Sequence, residues 1–108
     1  MATLLYRLAK GQLLDATSTR WMLTTMKETQ TFPDRLRAGT APGWQAAHKT
    51  GTSNTWKGVT GATNDVGVLF SPAGDPSGVA VFLAASPAPP PERAAAIADV
   101  ARIITGAQ

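Results

Sequence analysis

Cysteine is absent from this 108-residue sequence, histidine occurs once, and Asp, Glu, Lys and Arg together make up only 16%. Without cysteine there is no disulfide, no thiolate metal ligand and no thiol nucleophile, and the redox compartment is left open. The lone His48 excludes a multi-histidine metal centre. Aromatic residues are few, at 6%, and do not interleave with runs of basic residues. A nucleic-acid platform needs that interleaving, so nucleic acid is not an expected partner. No apolar stretch approaches the roughly 20 residues that cross a bilayer, and no signal-peptide pattern is present, so no membrane partner is expected.

What is present fits a single globular unit. Hydrophobic residues make up 44%, too many for a disordered chain. Ten Lys plus Arg against seven Asp plus Glu give a net charge of +3, scattered along the chain. Such a surplus draws anionic small molecules rather than polyanions. The low charge content predicts an apolar surface, part of it normally covered by something else. Met1 leads directly into Leu4, Leu5 and Leu8 at helical spacing. The expectation is a chain that starts inside a structural element, as a truncated protein would.

Ala2 to Lys10 reads as the end of an amphipathic helix, stopped by Gly11. Asp15 is a good N-cap for a second helix of about a dozen residues. Its expected apolar stripe is Trp21, Met22, Leu23 and Met26. Thr31 to Gly43, with Pro33, Gly39, Pro42 and Gly43, reads as loop or a short helical turn. Strands are predicted at 45–53, 65–71 and 78–85, with loops holding Gly58, Gly61 and Asn64, then Pro72, Gly74, Asp75 and Pro76. Short loops between successive strands predict an antiparallel meander. A terminal helix is predicted from Glu92 to Ile104, its stripe Ile97, Val100, Ala101 and Ile104. The fold class is α+β: one unit, 1–108, with a helical segment and loop at 1–44, a three-strand meander at 45–86, and a terminal helix at 91–105. Three strands leave two exposed edges unless something covers them.

The segment richest in chemistry is His48-Lys49-Thr50-Gly51-Thr52-Ser53. In a regular strand Thr50 and Thr52 share a face and Lys49 points the other way. Two hydroxyls and a cation suit a carboxylate. Gly51 lets a ligand backbone approach the strand, and the Thr52 N–H is then aimed at a ligand oxygen. A Lys-Thr-Gly tripeptide alone is common, and the flanking residues give it weight. Lys10-Gly11-Gln12-Leu13-Leu14, Arg35-Leu36-Arg37-Ala38, Gly43-Trp44, Ala62-Thr63-Asn64-Asp65-Val66-Gly67 and Val79-Ala80-Val81-Phe82 stand around it in order.

Together these residues resemble the C-terminal portion of class A β-lactamases, members of the penicillin-recognising serine enzymes. The resemblance covers essentially the whole chain. His48 before Lys49, and Ala62-Thr63-Asn64-Asp65, are most similar to the extended-spectrum branch. Two local departures stand out: Phe32 where a glycine is usual, and Thr40-Ala41-Pro42 in place of Leu-Pro-x.

The resemblance implies roles. Lys49 supplies positive potential and contacts the neighbouring catalytic hydroxyl. Thr50, Gly51 and Thr52 bind substrate, the threonines through the carboxylate that β-lactams carry. The Thr52 N–H forms half of the oxyanion hole. Arg35 stands at a spacing from which an arginine reaches that carboxylate in several class A enzymes; the alternative is a solvated loop arginine. His48 and Asp65 are read as structural, as are Trp21, Met26 and Trp44, while Trp56 lines a site mouth. The family's Ser-x-x-Lys nucleophile, Ser-Asp-Asn loop and omega-loop glutamate are absent from the sequence. The implied parent activity is β-lactam hydrolysis, with no metal and no organic cofactor. The expected partners are a β-lactam and the upstream half of the same enzyme, and the chain alone is expected to be inactive. The full-length family is expected in the periplasm or secreted, and this chain, made alone, in the cytoplasm. A non-catalytic module that binds β-lactams or peptidoglycan-like peptides is the competing expectation.

Overall fold

The computed structural model describes residues 1–106, so the last two positions of the expected 1–108 unit lie outside the described residues. Helix α1, Ala2–Ala9, follows the leucine spacing and buries Leu5. Helix α2, Ala16–Lys27, starts where the Asp15 carboxylate accepts a hydrogen bond from the Ser18 N–H at 2.7 Å. This cap satisfies one of the free amides of the first turn. Its inward stripe differs from expectation. Thr19, Met22, Leu23 and Met26 face the protein, at the spacing of one helical face, whereas Trp21 falls off that face and is 66% exposed. The short helix α3, Leu36–Gly39, is the helical turn expected within Thr31 to Gly43, and it buries Leu36 completely.

The sheet contains β1, Gln45–Thr52; β2, Thr55–Trp56; β3, Val59–Phe70; and β4, Pro76–Ser86. All pairings are antiparallel, and β3 lies between the others. Thr60 pairs with both Thr55 and Ser86, so β2 extends the same edge of β3 that β1 occupies. The result is three strand positions, as expected, but β3 begins at Val59 rather than Asp65. The cause is local. Lys57 and Gly58 both have positive φ, 50° and 76°, the backbone of a two-residue hairpin turn. That turn pulls Val59–Asn64, expected as loop, into the sheet.

Helix α4, Pro90–Thr105, starts on consecutive prolines and ends at Gly106 in the left-handed conformation. Its buried face is Arg93, Ala94, Ile97, Ala98, Ala101 and Thr105. Ile104, expected on that face, is exposed, because the stripe runs through Ala94, Ala98 and Thr105 instead.

Helices cover both faces of the sheet. Leu5 and Met26 from α1 and α2 pack on Ala47 and Val68 on one face. Leu36, Ile97 and Ala101 from α3 and α4 pack on Leu69 and Val79 on the other. Strand alternation decides which face each β1 residue joins. His48, Thr50 and Thr52 lie on the α3/α4 face, and Lys49 and Gly51 on the α1/α2 face.

Candidate functional site

The end of β1 is where the candidate residues meet. Among the described residues β1 pairs only with β3, so its outer edge carries no strand. Lys49, Gly51 and Thr52 are exposed there and Thr50 is buried. A Cβ built on Gly51 would meet nothing within 4 Å, so the space above that residue is open. The Lys49 ammonium donates to the Thr50 carbonyl at 2.6 Å. The Thr50 hydroxyl shares a 2.8 Å hydrogen bond with the Thr31 hydroxyl, and the Thr29 hydroxyl donates to the His48 carbonyl at 2.6 Å. The segment leaving α2 therefore laces itself onto the strand.

Arg35 is not a solvated loop residue. It is 3% exposed, and its guanidinium donates to the Thr52 hydroxyl at 2.6 Å, the Asn64 carbonyl at 2.9 Å and the Gly51 carbonyl at 3.2 Å. The Phe32 ring lies 3.9 Å from its guanidinium carbon. Phe32 itself has φ of 44°, a left-handed backbone that favours glycine. Burial pushes the Arg35 guanidinium below its ordinary pKa, and the Asp34 and Asp65 carboxylates counter that shift. It remains a cation at neutral pH.

Behind the strand lies a fully buried pair. His48 Nδ1 is 2.9 Å from both carboxylate oxygens of Asp65, and both side chains are 0% exposed. Asp65 also accepts from the Leu36 N–H at 3.1 Å. Among the described residues His48 Nε2 has no hydrogen-bond partner. Opposite His48 stands Gly67, where a Cβ would collide with the Ala47 carbonyl and the His48 backbone. Only glycine lets the two strands approach this closely at the His48–Gly67 pair.

The structure thus brings Arg35, Thr50, Gly51 and Thr52 to one end of β1, with Lys49 beside them on the opposite face. Trp56, at 75% exposed, stands on the hairpin beyond them. The roles of Thr29 and Thr31 were not legible in the sequence, since only the fold lays the segment after α2 along β1. A separate cleft of about 450 Å³, lined by Lys27, Arg37, Thr40, Trp44, Gln45 and Ala46 among others, lies at the other end of β1. It contains none of the expected site residues. Among the described residues no three His, Asp or Glu side chains cluster to hold a metal ion, and no helix is long and apolar enough to cross a membrane.

Comparison with known proteins supplies the context for this geometry. Residues 1–108 match the model of the β-lactamase enzyme family. The extended-spectrum β-lactamase PER-1 of Pseudomonas aeruginosa is 40% identical over 101 residues, 94% of this chain and 33% of that protein. A β-lactamase of Chitinophaga pinensis superimposes with a TM-score of 0.91 at 36% identity, covering 98% of this chain and 39% of the other. A representative class A β-lactamase of Bacteroides cellulosilyticus does so with a TM-score of 0.89 at 30% identity, covering 97% and 38%. The chain spans about a third of the length of the curated relatives it matches.

Proposed function

The chain belongs to the β-lactamase enzyme family, with class A enzymes among its structural neighbours, and from that premise we propose that it forms the substrate-strand portion of a serine β-lactamase. Hydrolysis of β-lactams is the activity of the family. In this reading an upstream segment brings the serine nucleophile, the Ser-Asp-Asn loop and the deacylating glutamate. The serine oxygen attacks the lactam carbonyl, the C–N bond breaks, and the ring nitrogen takes a proton. Water then cleaves the acyl-serine ester.

Within that reaction β1 holds and polarises the substrate. The Thr52 N–H is one of two donors to the oxyanion, the nucleophile's own N–H being the other. Lys49 supplies positive charge beside the reacting centre. Thr50 and Thr52 bind the carboxylate, and Arg35, hydrogen-bonded to the Thr52 hydroxyl, brings a buried positive charge behind them. No metal or organic cofactor takes part, and the complete protein works in the periplasm or outside the cell. The observation that carries this reading is the unpaired outer edge of β1, open above Gly51, with Lys49 beside it and Arg35 behind it.

The test completes the chain with the upstream two thirds of a class A relative such as PER-1, joined to it or mixed with it. The purified chain alone should leave a chromogenic cephalosporin intact, and the completed enzyme should hydrolyse it. Lys49→Ala in the completed enzyme should lower turnover by about 100-fold or more, the scale on which an electrostatic donor at the oxyanion acts. Full activity in that variant, or turnover by the chain alone that survives purification, overturns the reading. Saturable β-lactam binding without turnover in a folded completed protein would favour a binding module instead.

A further inference from the structure

We propose that the buried His48–Asp65 pair is a positioning device for Arg35, and through Arg35 for the substrate-facing hydroxyl of Thr52. The inference builds on the functional reading above for its kinetic consequence and on geometry alone for its structural one.

The dipeptide Asn64-Asp65 grips Arg35 at both ends. At the backbone end, the Asp65 carboxylate accepts from the Leu36 N–H, the amide that immediately follows Arg35. At the side-chain end, the Asn64 carbonyl accepts from Arg35 Nη1 at 2.9 Å. The remaining terminal nitrogen, Nη2, is then left to reach the Thr52 hydroxyl. This works only if the Asp65 carboxylate is held in one orientation. His48 holds it: Nδ1 spans both oxygens, from a ring wholly buried opposite Gly67. His48 is also the residue before Lys49, so the same bond ties the substrate strand to the segment that carries Arg35.

The chemistry singles out Nδ1 as the working atom. Nε2 is buried without a partner among the described residues, so the ring's polar contact with them is made through Nδ1. A neutral imidazole with its proton on Nδ1 donates to a carboxylate that also accepts from an amide, and every donor then meets an acceptor. Replacing the carboxylate by a carboxamide turns one oxygen into a donor facing other donors. The Leu36 amide or the imidazole then loses its partner, and a buried unpaired group of that kind drives rearrangement.

The experiment uses the completed enzyme and a β-lactam that carries the carboxylate. Asp65→Asn should raise KM by about tenfold while leaving kcat within about threefold, the pattern of lost ground-state positioning. The double variant Arg35→Ala/Asp65→Asn should be no worse than Arg35→Ala, because both substitutions remove one function. His48→Asn, whose amide nitrogen stands near the place of Nδ1, should keep KM near that of the parent. His48→Phe, which keeps an aromatic ring and removes the donor, should behave as Asp65→Asn. This pair decides the matter if Asp65→Asn fails to fold. Additive losses, or equal KM values for His48→Asn and His48→Phe, overturn the proposal. A structural arm needs no activity. In ¹⁵N spectra of the folded protein, the Arg35 side-chain and Thr52 amide signals should move in His48→Phe and stay in His48→Asn, while Leu5 and Met26 on the other face stay in both. A completed protein that folds without turnover defeats the functional reading, and the spectra still decide the positioning one; signals that stay put in His48→Phe defeat it.

Discussion

Thr50 carries two demands on one hydroxyl. It is buried, and its oxygen already shares a hydrogen bond with the Thr31 hydroxyl, while the proposed reaction asks it to meet the substrate carboxylate as well. A threonine hydroxyl can donate once and accept twice, so both contacts are compatible if Thr31 donates and Thr50 donates onward. Substitution separates the two. Thr31→Val removes only the internal bond, whereas Thr50→Val removes that bond and the contact to a charged ligand. In the completed enzyme Thr50→Val should cost about 1–3 kcal/mol in kcat/KM, the usual range for a hydrogen bond to a charged group. Thr31→Val should cost less. Steady-state kinetics on the two variants check this, and equal losses would assign Thr50 a purely internal role.

At the scale of elements, helix α2 depends on its N-cap because its sequence does little else to favour a helix. Ser, Thr and β-branched positions are frequent in Ala16–Lys27, and its first turn holds no acidic residue. The hydrogen bonds from the Ser18 backbone and side chain hold the Asp15 carboxyl below its ordinary value of 3.8. The sign follows from that depression. The folded state binds the proton less readily than the unfolded state, so the cap stabilises the helix above the unfolded pKa and loses that contribution as pH falls through the lower folded value. Amide exchange in the first turn of α2 should therefore quicken as pH drops below about 3.8, after correction for the intrinsic rate. In Asp15→Ala the same amides should exchange faster at neutral pH and lose the acid-dependent part. The helix also sets the register of the segment after it, since Thr29 and Thr31 reach β1 just past its end. Loss of the cap is expected to loosen those two contacts as well.

At the scale of the whole molecule, large hydrophobic side chains stand exposed, and among the described residues β1 and β4 each have a strand on one side only. Trp21, Trp56, Phe82 and Ile103 are each more than half exposed. Phe82 stands on the α1/α2 face of β4, beyond the area that α1 and α2 cover, and β4 pairs only with β3 among the described residues. Unpaired strands and bare aromatic side chains of this kind favour association. The isolated chain is expected to self-associate in sedimentation velocity and to melt without a sharp transition. Phe82→Lys should shift the distribution toward monomer, and in the completed enzyme the same substitution should instead hinder assembly. A clean monomer with a cooperative melt would show that the present contacts suffice.

By itself the sequence determined those features that short-range rules decide. Asp15 before the α2 stripe marked that helix, and alternating Val66, Val68 and Phe70, then Val79, Val81 and Leu83, marked two strands. The order His48-Lys49-Thr50-Gly51-Thr52 located the candidate site, since strand alternation alone assigns Lys49 to one face and the threonines to the other. Where two local patterns competed, the fold chose. Trp21 looked like core until the 19-22-23-26 stripe turned it outward, and Val59–Asn64 looked like loop until the Lys57-Gly58 turn closed a hairpin. Arg35 is the clearest case. Nothing near it in sequence says whether a loop arginine is solvated or buried. Its partners are 16, 17 and 29 residues away, and the same long reach, 17 residues, joins His48 to Asp65. Such contacts depend on strand register, and register is settled only when the hydrophobic faces of the sheet are buried together by helices on both sides.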